Sequence, residues 1–256
     1  MTQNLINLIG LQRCGCHAVA NWLLHQNPLV ASPQSLSLLP NEISEQNDVC
    51  GFKIKNRDFL IYNQFWFKYQ EPHAPTKLGY TPKGDVENAV IVYETGELRR
   101  YNIEFDNKKE VFGEIKNEVN VLVLRDYLNC AASWYKQHGE CPPHIALFWY
   151  HRALEILGKT HYIPNMYFIN YNKWFIDKLY RQQICKDLNL HFTDIAIDSV
   201  VHYGQGSSFD KQKFDGRAQD MSVNQRYKIY EQTPEFQQYK RPELIPISEK
   251  IFGEYE

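Results

Sequence analysis

A short loop near the N-terminus has the residue types and spacing of a phosphate-binding site. Gly10 and Gly15 enclose four residues in the sequence GLQRCG. An apolar run from Leu5 to Leu11 precedes the loop, and a helical pattern of apolar residues starts at Ala18. A glycine loop between a strand and a helix offers backbone N–H groups and the positive end of the helix dipole to an anion. The sequence therefore predicts an anion site here, with Arg13 as its cation.

The residues that follow the loop do not fit magnesium-dependent nucleotide chemistry. A nucleoside triphosphate enzyme places a Lys and then a Ser or Thr after the second glycine, where they reach the β and γ phosphates and magnesium. This chain has Cys16 and His17 there. The cysteines are too few for a disulfide framework, and Cys14 and Cys16 do not form a Cys-x-x-Cys pair. We therefore expect reduced thiols and no metal.

A second strand-to-helix junction also carries an arginine. The apolar run 121–124 ends at Arg125, a helical pattern starts near Asn129, and Ser133 follows Arg125 by eight residues. A strand end can present a guanidinium group, and a hydroxyl on the next helix can complete an oxyanion clamp. Ligands of parallel sheets bind at the carboxyl ends of the strands. The two junctions are therefore predicted to bind two phosphates of one ligand.

Together the two motifs resemble those of the sulfotransferases that use 3′-phosphoadenosine-5′-phosphosulfate (PAPS). The family's first loop reads Lys or Arg, Ser, Gly, and then Ser, Thr or Asn before a helix. This chain reads Arg13, Cys14, Gly15 and Cys16, so cysteines replace the hydroxyl residues. The family's second motif is an Arg at the end of a later strand with a Ser eight residues on, as in Arg125 and Ser133. The likeness spans residues 5–30 and 119–226.

The resemblance implies a P-loop-like fold with three layers, α/β/α, around a central, mainly parallel sheet. The alternation of strand and helix patterns independently favours an α/β protein. We expect one domain over residues 1–256, with residues 55–118 as a variable insertion on the acceptor side. Residues 207–256 are expected to be a loosely attached C-terminal segment that lies partly over the site.

The resemblance also implies roles for individual residues. The bridge between sulfur and the 5′-phosphate would be held by Arg13 and Lys53, and the 3′-phosphate by Arg125 and Ser133. The base that deprotonates the acceptor would be His17 or Glu94, which follows an apolar run, 89–93, that is predicted to form a hairpin with 98–105. The remaining cofactor-binding residues are the loop and first helical turn, together with one arginine of the C-terminal segment: Cys14, Gly15, Cys16, His17, Ala18 and Arg217.

The implied reaction transfers a sulfuryl group from PAPS to a hydroxyl or amine of a small molecule or glycan, and releases 3′-phosphoadenosine-5′-phosphate (PAP). The reaction needs no metal. Two alternatives remain open at this stage. A P-loop kinase or nucleotide hydrolase would share the first loop, and a non-catalytic PAP-binding or nucleotide-binding protein would keep both phosphate sites but lack the base.

Composition excludes several other classes of protein. The 256 residues include 28 Lys and Arg against 30 Asp and Glu, for a net charge of -2. The chain therefore has no overall basic field of the kind that binds nucleic acid through its phosphates. No apolar run reaches the roughly 20 residues that cross a bilayer. The N-terminus lacks the basic region of a signal peptide, so we expect a cytoplasmic protein.

Overall fold

The computed structural model describes residues 2–26, 49–53, 60–65, 86–94, 98, 114–200 and 206–255. Six strands lie in this part of the chain: β1 (Thr2–Gly10), β2 (Val49–Lys53), β3 (Leu60–Phe65), β4 (Val86–Glu94), β5 (Ile115–Leu124) and β6 (Met166–Asn170). Its α-helices are α1 (Cys16–Leu24), α2 (Tyr127–His138), α3 (Pro143–Ile156), α4 (Tyr171–Ile176), α5 (Lys178–Asp187), α6 (Pro234–Gln237) and α7 (Ile245–Phe252). The predicted alternation of strands and helices is confirmed, and the chain has an α/β fold.

The six strands form one mainly parallel sheet in the order β2-β3-β4-β1-β5-β6. Strands β3, β4, β1, β5 and β6 are parallel to one another, and the edge strand β2 is antiparallel to β3. β1 lies in the interior of the sheet between β4 and β5. The predicted mainly parallel sheet is therefore confirmed.

The strand order reverses direction beside β1. From β1 the chain continues to β2, β3 and β4 on one side, whereas from β5 it continues to β6 on the other. In open α/β sheets, a reversal of this kind leaves a crevice outside the carboxyl ends of the two strands, where ligands bind. Both arginine-bearing junctions predicted from the sequence follow the strands that flank this crevice.

Both faces of the sheet are covered by apolar side chains. Ile6 and Leu8 of β1 belong to the larger buried cluster, and the alternate residues Leu5 and Ile9 belong to a smaller one. Side chains on successive strand residues point to opposite faces. β1 is therefore buried on both sides, which explains its nearly continuous apolar sequence. No helix among the described residues is long and apolar enough to span a bilayer.

The predicted hairpin after residue 89 is wrong. β4 pairs in parallel with β1 on one side and with β3 on the other, so it is an interior strand. Its unbroken run of apolar residues is typical of a strand covered on both faces rather than of an edge hairpin. β3 and β4 also show that part of the predicted insertion, 55–118, builds the central sheet. Residues 54–59, 66–85, 95–97 and 99–113 of that region lie outside the described residues.

The C-terminal segment is packed against the domain rather than loosely attached. Phe236, Tyr239 and Leu244 are buried in the larger apolar cluster. The Tyr239 hydroxyl accepts a hydrogen bond from the backbone N–H of Cys141 at 3.0 Å. The Ser248 hydroxyl accepts one from the first residue of α2, Tyr127, at 3.1 Å. The prediction was wrong because the polar composition of the segment concealed a few well-spaced aromatic anchors.

Candidate functional site

The loop after β1 requires glycine at both of its ends, for different reasons. A Cβ atom at Gly10 would lie 2.0 Å from the sulfur of Cys16, so the start of α1 packs directly on the end of β1. Gly15 has a φ of +88°, and a Cβ atom there would lie 2.0 Å from the ring of Tyr171. The left-handed backbone and the close approach both exclude a larger residue. The spacing of the two glycines is thus explained by packing on each side of the loop.

The loop ends at the N-terminus of α1, which carries no acidic residue in its first turn. Gly15 is the N-cap and has no side chain to cap the helix, so the first backbone N–H groups are available to an anion. Arg13 is half-buried and has a φ of 70°. Burial lowers the pKa of its guanidinium group, and the nearby Glu94 and Cys130 oppose that shift. A cation therefore lies beside the helix N-terminus.

A buried arginine contacts this loop from the protein interior. Arg152 of α3 is fully buried, and its Nη2 donates a hydrogen bond to the carbonyl oxygen of Gly10 at 3.0 Å. Burial lowers its pKa to about 10, while the neighbouring Cys14, Cys16 and Glu94 oppose that shift. This hydrogen bond keeps the Gly10 carbonyl oxygen pointing towards the protein interior. The guanidinium group also places a positive charge next to the glycine loop.

The two candidate bases lie next to each other. Nε2 of His17 is 3.8 Å from Oε1 of Glu94, and their side chains are 18% and 6% exposed. The sheet register explains the pairing, because Glu94 at the end of β4 is the strand partner of Gly10 at the end of β1. His17 lies in the first turn of α1, directly after the loop. A histidine and a carboxylate therefore lie next to each other beside the glycine loop.

The second junction is built around a helix cap. Asp126 precedes α2, and its Oδ1 accepts a hydrogen bond from the backbone N–H of Asn129 at 2.9 Å. Asn172 donates to Oδ2 of the same carboxylate at 2.8 Å. The indole N–H of Trp149 donates to the carbonyl oxygen of Arg125 at 2.8 Å. Asp126 therefore caps a helix, and this packing fixes the backbone from which Arg125 projects.

The Arg125 side chain is buried with part of its guanidinium group unpaired. Its Nη2 donates to the carbonyl oxygen of Val223, and its Nε has no hydrogen-bond partner in the structure. The side chain is 3% exposed and lies 5.5 Å from the centre of the Tyr171 ring. Burial raises the pKa of Tyr171, while the charges of Arg125 and Arg226 oppose that shift. An anion next to Arg125 could accept the hydrogen bond that the buried Nε does not donate to any protein group.

A second buried arginine lies near Arg125, and serine hydroxyls from α2 and the C-terminal segment lie at the same junction. Arg226 donates hydrogen bonds from Nη2 to Ser207 Oγ and Asp210 Oδ2, each at 2.8 Å. Burial, followed by the positive charge of Arg125, lowers its pKa to about 10. Ser133 of α2 lies 2.7 Å from the hydroxyl of Ser208, oxygen to oxygen. The C-terminal segment therefore supplies a cation and a hydroxyl to the junction at β5.

The two junctions lie side by side. β1 and β5 are paired strands, which lie about 4.8 Å apart in a sheet. The sulfurs of Cys14 and Cys130 are 3.6 Å apart, and the indole N–H of Trp134 donates to the Gln12 carbonyl oxygen at 3.3 Å. α2 therefore contacts the glycine loop directly. Both junctions open onto the same edge of the sheet.

The sheet register does not bring the predicted residue Lys53 to this edge. Lys53 pairs with Leu60 at the start of β3, whereas Phe65 at the far end of β3 pairs with Glu94. Five strand residues span about 17 Å, so the backbone of Lys53 lies at the opposite edge of the sheet. The prediction missed this because β2 is antiparallel to the strands that carry the site. The side chain of the predicted residue Arg217 is 61% exposed and pairs at 4.0 Å with Asp220 rather than with a residue of either junction.

Three loop residues are present but contribute less than the sequence suggested. The N–H of Ala18 donates to the Gly15 carbonyl oxygen at 3.1 Å, so it is already used within the helix. The sulfur of Cys14 faces Cys130. The sulfur of Cys16 packs on Gly10 and donates to the Leu11 carbonyl oxygen at 3.7 Å. Both cysteine side chains are buried, and their backbone groups form the loop.

Sequence reasoning gave too little weight to Arg226, Tyr171 and Ser208 and did not single out Arg152. Arg226 and Arg217 both lie in a polar segment, and their different burial depends on docking of the 3-10 helix Val223–Tyr230 against α2. A charged residue within the apolar pattern of α3 is the signal that points to Arg152. Among the described residues, no group of three or more His, Cys, Asp or Glu side chains is placed to hold a metal ion.

In comparisons with known proteins, the chain matches no protein-family model and no curated protein.

Proposed function

We propose that this protein is a PAPS-dependent sulfotransferase with a P-loop-like, three-layer α/β/α fold. The observation that carries the proposal is the buried Arg125. Its Nε has no partner, and it lies beside Arg226 at the strand next to the glycine loop. A ligand with two separated phosphate groups fits two cationic junctions on one edge of a sheet. We place the reaction in the cytoplasm, where thiols such as those of this chain remain reduced.

The junction at β5 is the proposed site of the 3′-phosphate. Arg125 and Arg226 are both buried, and the positive charge of Arg125 helps to lower the pKa of Arg226. A phosphate placed between them would replace this repulsion with charge-assisted hydrogen bonds. Ser133 and Ser208 would add hydroxyl donors. Because Arg217 is exposed, Arg226 takes the role that the sequence gave to Arg217.

The glycine loop is the proposed site of the 5′-phosphosulfate. Backbone N–H groups of the loop and of the first turn of α1 would bind the phosphate. Arg13 would lie next to the bridging oxygen between phosphorus and sulfur. Negative charge grows on that oxygen as its bond to sulfur breaks, so a fixed cation there stabilises the transition state more than the ground state. Lys53 has no part in this step.

The transfer itself is an in-line displacement. The acceptor oxygen or nitrogen forms a bond to sulfur while the bond from sulfur to the bridging oxygen breaks, and PAP leaves with the electron pair. The acceptor proton passes to the pair formed by His17 and Glu94. The Glu94 carboxylate stabilises the positive charge that develops on the imidazole. A base of this kind contributes roughly 100- to 10,000-fold to the rate.

Two alternatives make different predictions. A P-loop kinase or nucleotide hydrolase would bind its nucleotide together with magnesium, but Cys16 and His17 do not supply the Lys and hydroxyl of that chemistry. A non-catalytic PAP-binding protein would need no base. The pairing of His17 with Glu94 next to the loop favours an enzyme.

The proposal is tested in two steps. Thermal unfolding is first measured with PAP, PAPS and magnesium ATP in parallel, and we expect PAP and PAPS to raise the unfolding temperature without magnesium. PAP release from PAPS is then measured with a pool of hydroxyl and amine acceptors, for the wild type and for His17→Gln. Stabilisation only by magnesium ATP supports a kinase. Binding of PAP with no acceptor-dependent PAP release across the pool supports a non-catalytic protein.

A further inference from the structure

A pair of thiols joins the glycine loop to helix α2. The sulfur of Cys14, within the loop, lies 3.6 Å from the sulfur of Cys130, and both side chains are buried. We propose that Cys14 and Cys130 are a peroxide-oxidisable dithiol whose disulfide distorts the glycine loop and weakens its binding of phosphate. The effect on phosphate rests on the proposed function of the loop, whereas the formation of the disulfide does not.

The distance between the sulfurs requires a movement that falls mainly on the loop. A disulfide has a sulfur-to-sulfur distance of about 2.05 Å, so the two atoms must approach by roughly 1.5 Å. Cys130 is held in α2, where its N–H donates to the Asp126 carbonyl oxygen at 3.1 Å. Cys14 lies between two residues with positive φ, Arg13 and Gly15. Closure would draw the loop towards α2 and displace the backbone groups that bind the anion.

The surroundings of the two sulfurs give them different roles. Burial by itself raises the pKa of Cys14. The hydrogen bond from Cys130, the backbone N–H of Arg125, and the charges of Arg152 and Arg125 together hold that pKa below its ordinary value. The pKa of Cys130 is raised, because it donates to Cys14 and is buried. Cys14 is therefore the nucleophile and Cys130 the resolving thiol.

The reaction consumes one molecule of peroxide and balances in two steps. The Cys14 thiolate attacks one oxygen of hydrogen peroxide, the O–O bond breaks, and hydroxide leaves and takes up a proton to become water. Cys14 is then a sulfenic acid. Cys130 attacks the sulfur of Cys14, the S–O bond breaks, and the departing hydroxide takes the Cys130 proton to form a second water. Two thiols are oxidised to one disulfide while one peroxide is reduced to two waters.

The other cysteines with described side chains have no such arrangement. Burial raises the pKa of Cys141 and of Cys185 to about 12, and that of Cys16 is raised as well. Cys185 donates to the amide oxygen of Gln26 at 3.5 Å, and Cys16 donates to a backbone carbonyl oxygen. Thiols of raised pKa in apolar surroundings react slowly. Cys185 is therefore a matched control, because it is buried but is held as a thiol.

Because both thiols are buried, only a small oxidant can reach them. Cys14 is 0% exposed and Cys130 is 1% exposed, so a reagent must be small enough to enter during an opening of the loop. Hydrogen peroxide meets this condition, and oxidised glutathione does not. A phosphate ligand that holds the loop closed is expected to slow the oxidation.

The test treats the reduced wild type, Cys130→Ser and Cys185→Ser with hydrogen peroxide, and analyses each by intact mass and by peptide mapping without reductant. We expect the wild type and Cys185→Ser to lose two hydrogens and to yield a peptide that links Cys14 to Cys130. The affinity for PAP should fall at least about tenfold in these two proteins and return when a dithiol reductant is added. Cys130→Ser should keep its affinity for PAP after the same brief treatment.

The possible results separate this inference from the proposed function. Failure of peroxide to link Cys14 to Cys130 in the folded wild type overturns the dithiol. A complete link with unchanged affinity for PAP overturns its effect on the loop. If the reduced wild type does not bind PAP at all, the proposed function fails, and the peptide map still decides whether the disulfide forms.

Discussion

The junctions after β1 and β5 are built in different ways. At β1 the donors are mainly backbone N–H groups, and the cation, Arg13, is half-buried. At β5 the donors are buried side chains, and Arg125 is held by a carbonyl oxygen of the C-terminal segment. The first junction therefore consists of residues close together in sequence. The second is completed by a segment nearly a hundred residues away.

This difference indicates that the two junctions have separate roles. A junction beside a half-exposed cation and the pair of His17 and Glu94 can admit an acceptor and carry out chemistry. A junction covered by the C-terminal segment and lined by buried arginines can bind tightly but leaves little room for a second substrate. We therefore expect changes at the first junction to affect the rate of transfer, and changes at the second to affect the affinity for the nucleotide.

The largest effect is expected at the first junction. Arg13→Asn removes the guanidinium group but tolerates the left-handed backbone at this position. The maximal rate of PAP release should fall about 100- to 1000-fold, because the change removes one charge-stabilising donor at the leaving oxygen. The affinity for PAP, measured by calorimetry, should change much less. A loss of affinity for PAP with an unchanged maximal rate of PAP release would contradict this assignment of roles.

A smaller effect is expected at the second junction. Arg125→Met removes a charged donor from the proposed 3′-phosphate site and should weaken PAP binding by about 1.5–3 kcal/mol, or roughly 10- to 150-fold. Arg217→Met is the matched control, because Arg217 is exposed, and its affinity for PAP should equal that of the wild type. Equal losses in both variants would mean that burial does not identify the binding arginine.

The smallest effect is expected from a neutral donor at the same junction. Ser133→Ala removes the hydroxyl that lies beside Ser208. A neutral hydrogen bond contributes about 0.5–1.5 kcal/mol, so PAP affinity should fall by roughly 2- to 13-fold in a direct binding measurement. The maximal rate of transfer should be unchanged. A fall in rate without a fall in affinity would place Ser133 in the catalytic step instead.

The sequence predicted the first junction better than the second because its contacts are local. Two glycines, an apolar strand and a helical pattern place Arg13 and His17 without knowledge of distant residues. The pairing of His17 with Glu94 depends on sheet register, and the sequence suggested each residue only as a separate alternative. Register is set by packing across strands and is not visible in one segment.

The errors have similar physical causes. Lys53 was placed at the site because the resemblance implies a Lys at the end of the second apolar run, but that run forms β2, which pairs antiparallel with β3. Arg217 was preferred to Arg226 because the two are indistinguishable until the C-terminal segment docks. β4 was mistaken for half of a hairpin because its neighbours in the sheet are distant in sequence. Each error concerns how separate segments pair or pack, which one segment of sequence does not show.

The most direct test of the central claim compares two ligands in two proteins. PAP and adenosine 5′-phosphate differ only in the 3′-phosphate, and calorimetry gives the affinity of each for the wild type and for Arg125→Met. If one nucleotide spans both junctions, the wild type should prefer PAP by at least about tenfold, and the variant should lose that preference while it still binds adenosine 5′-phosphate as the wild type does. The same preference for PAP in both proteins would contradict the account.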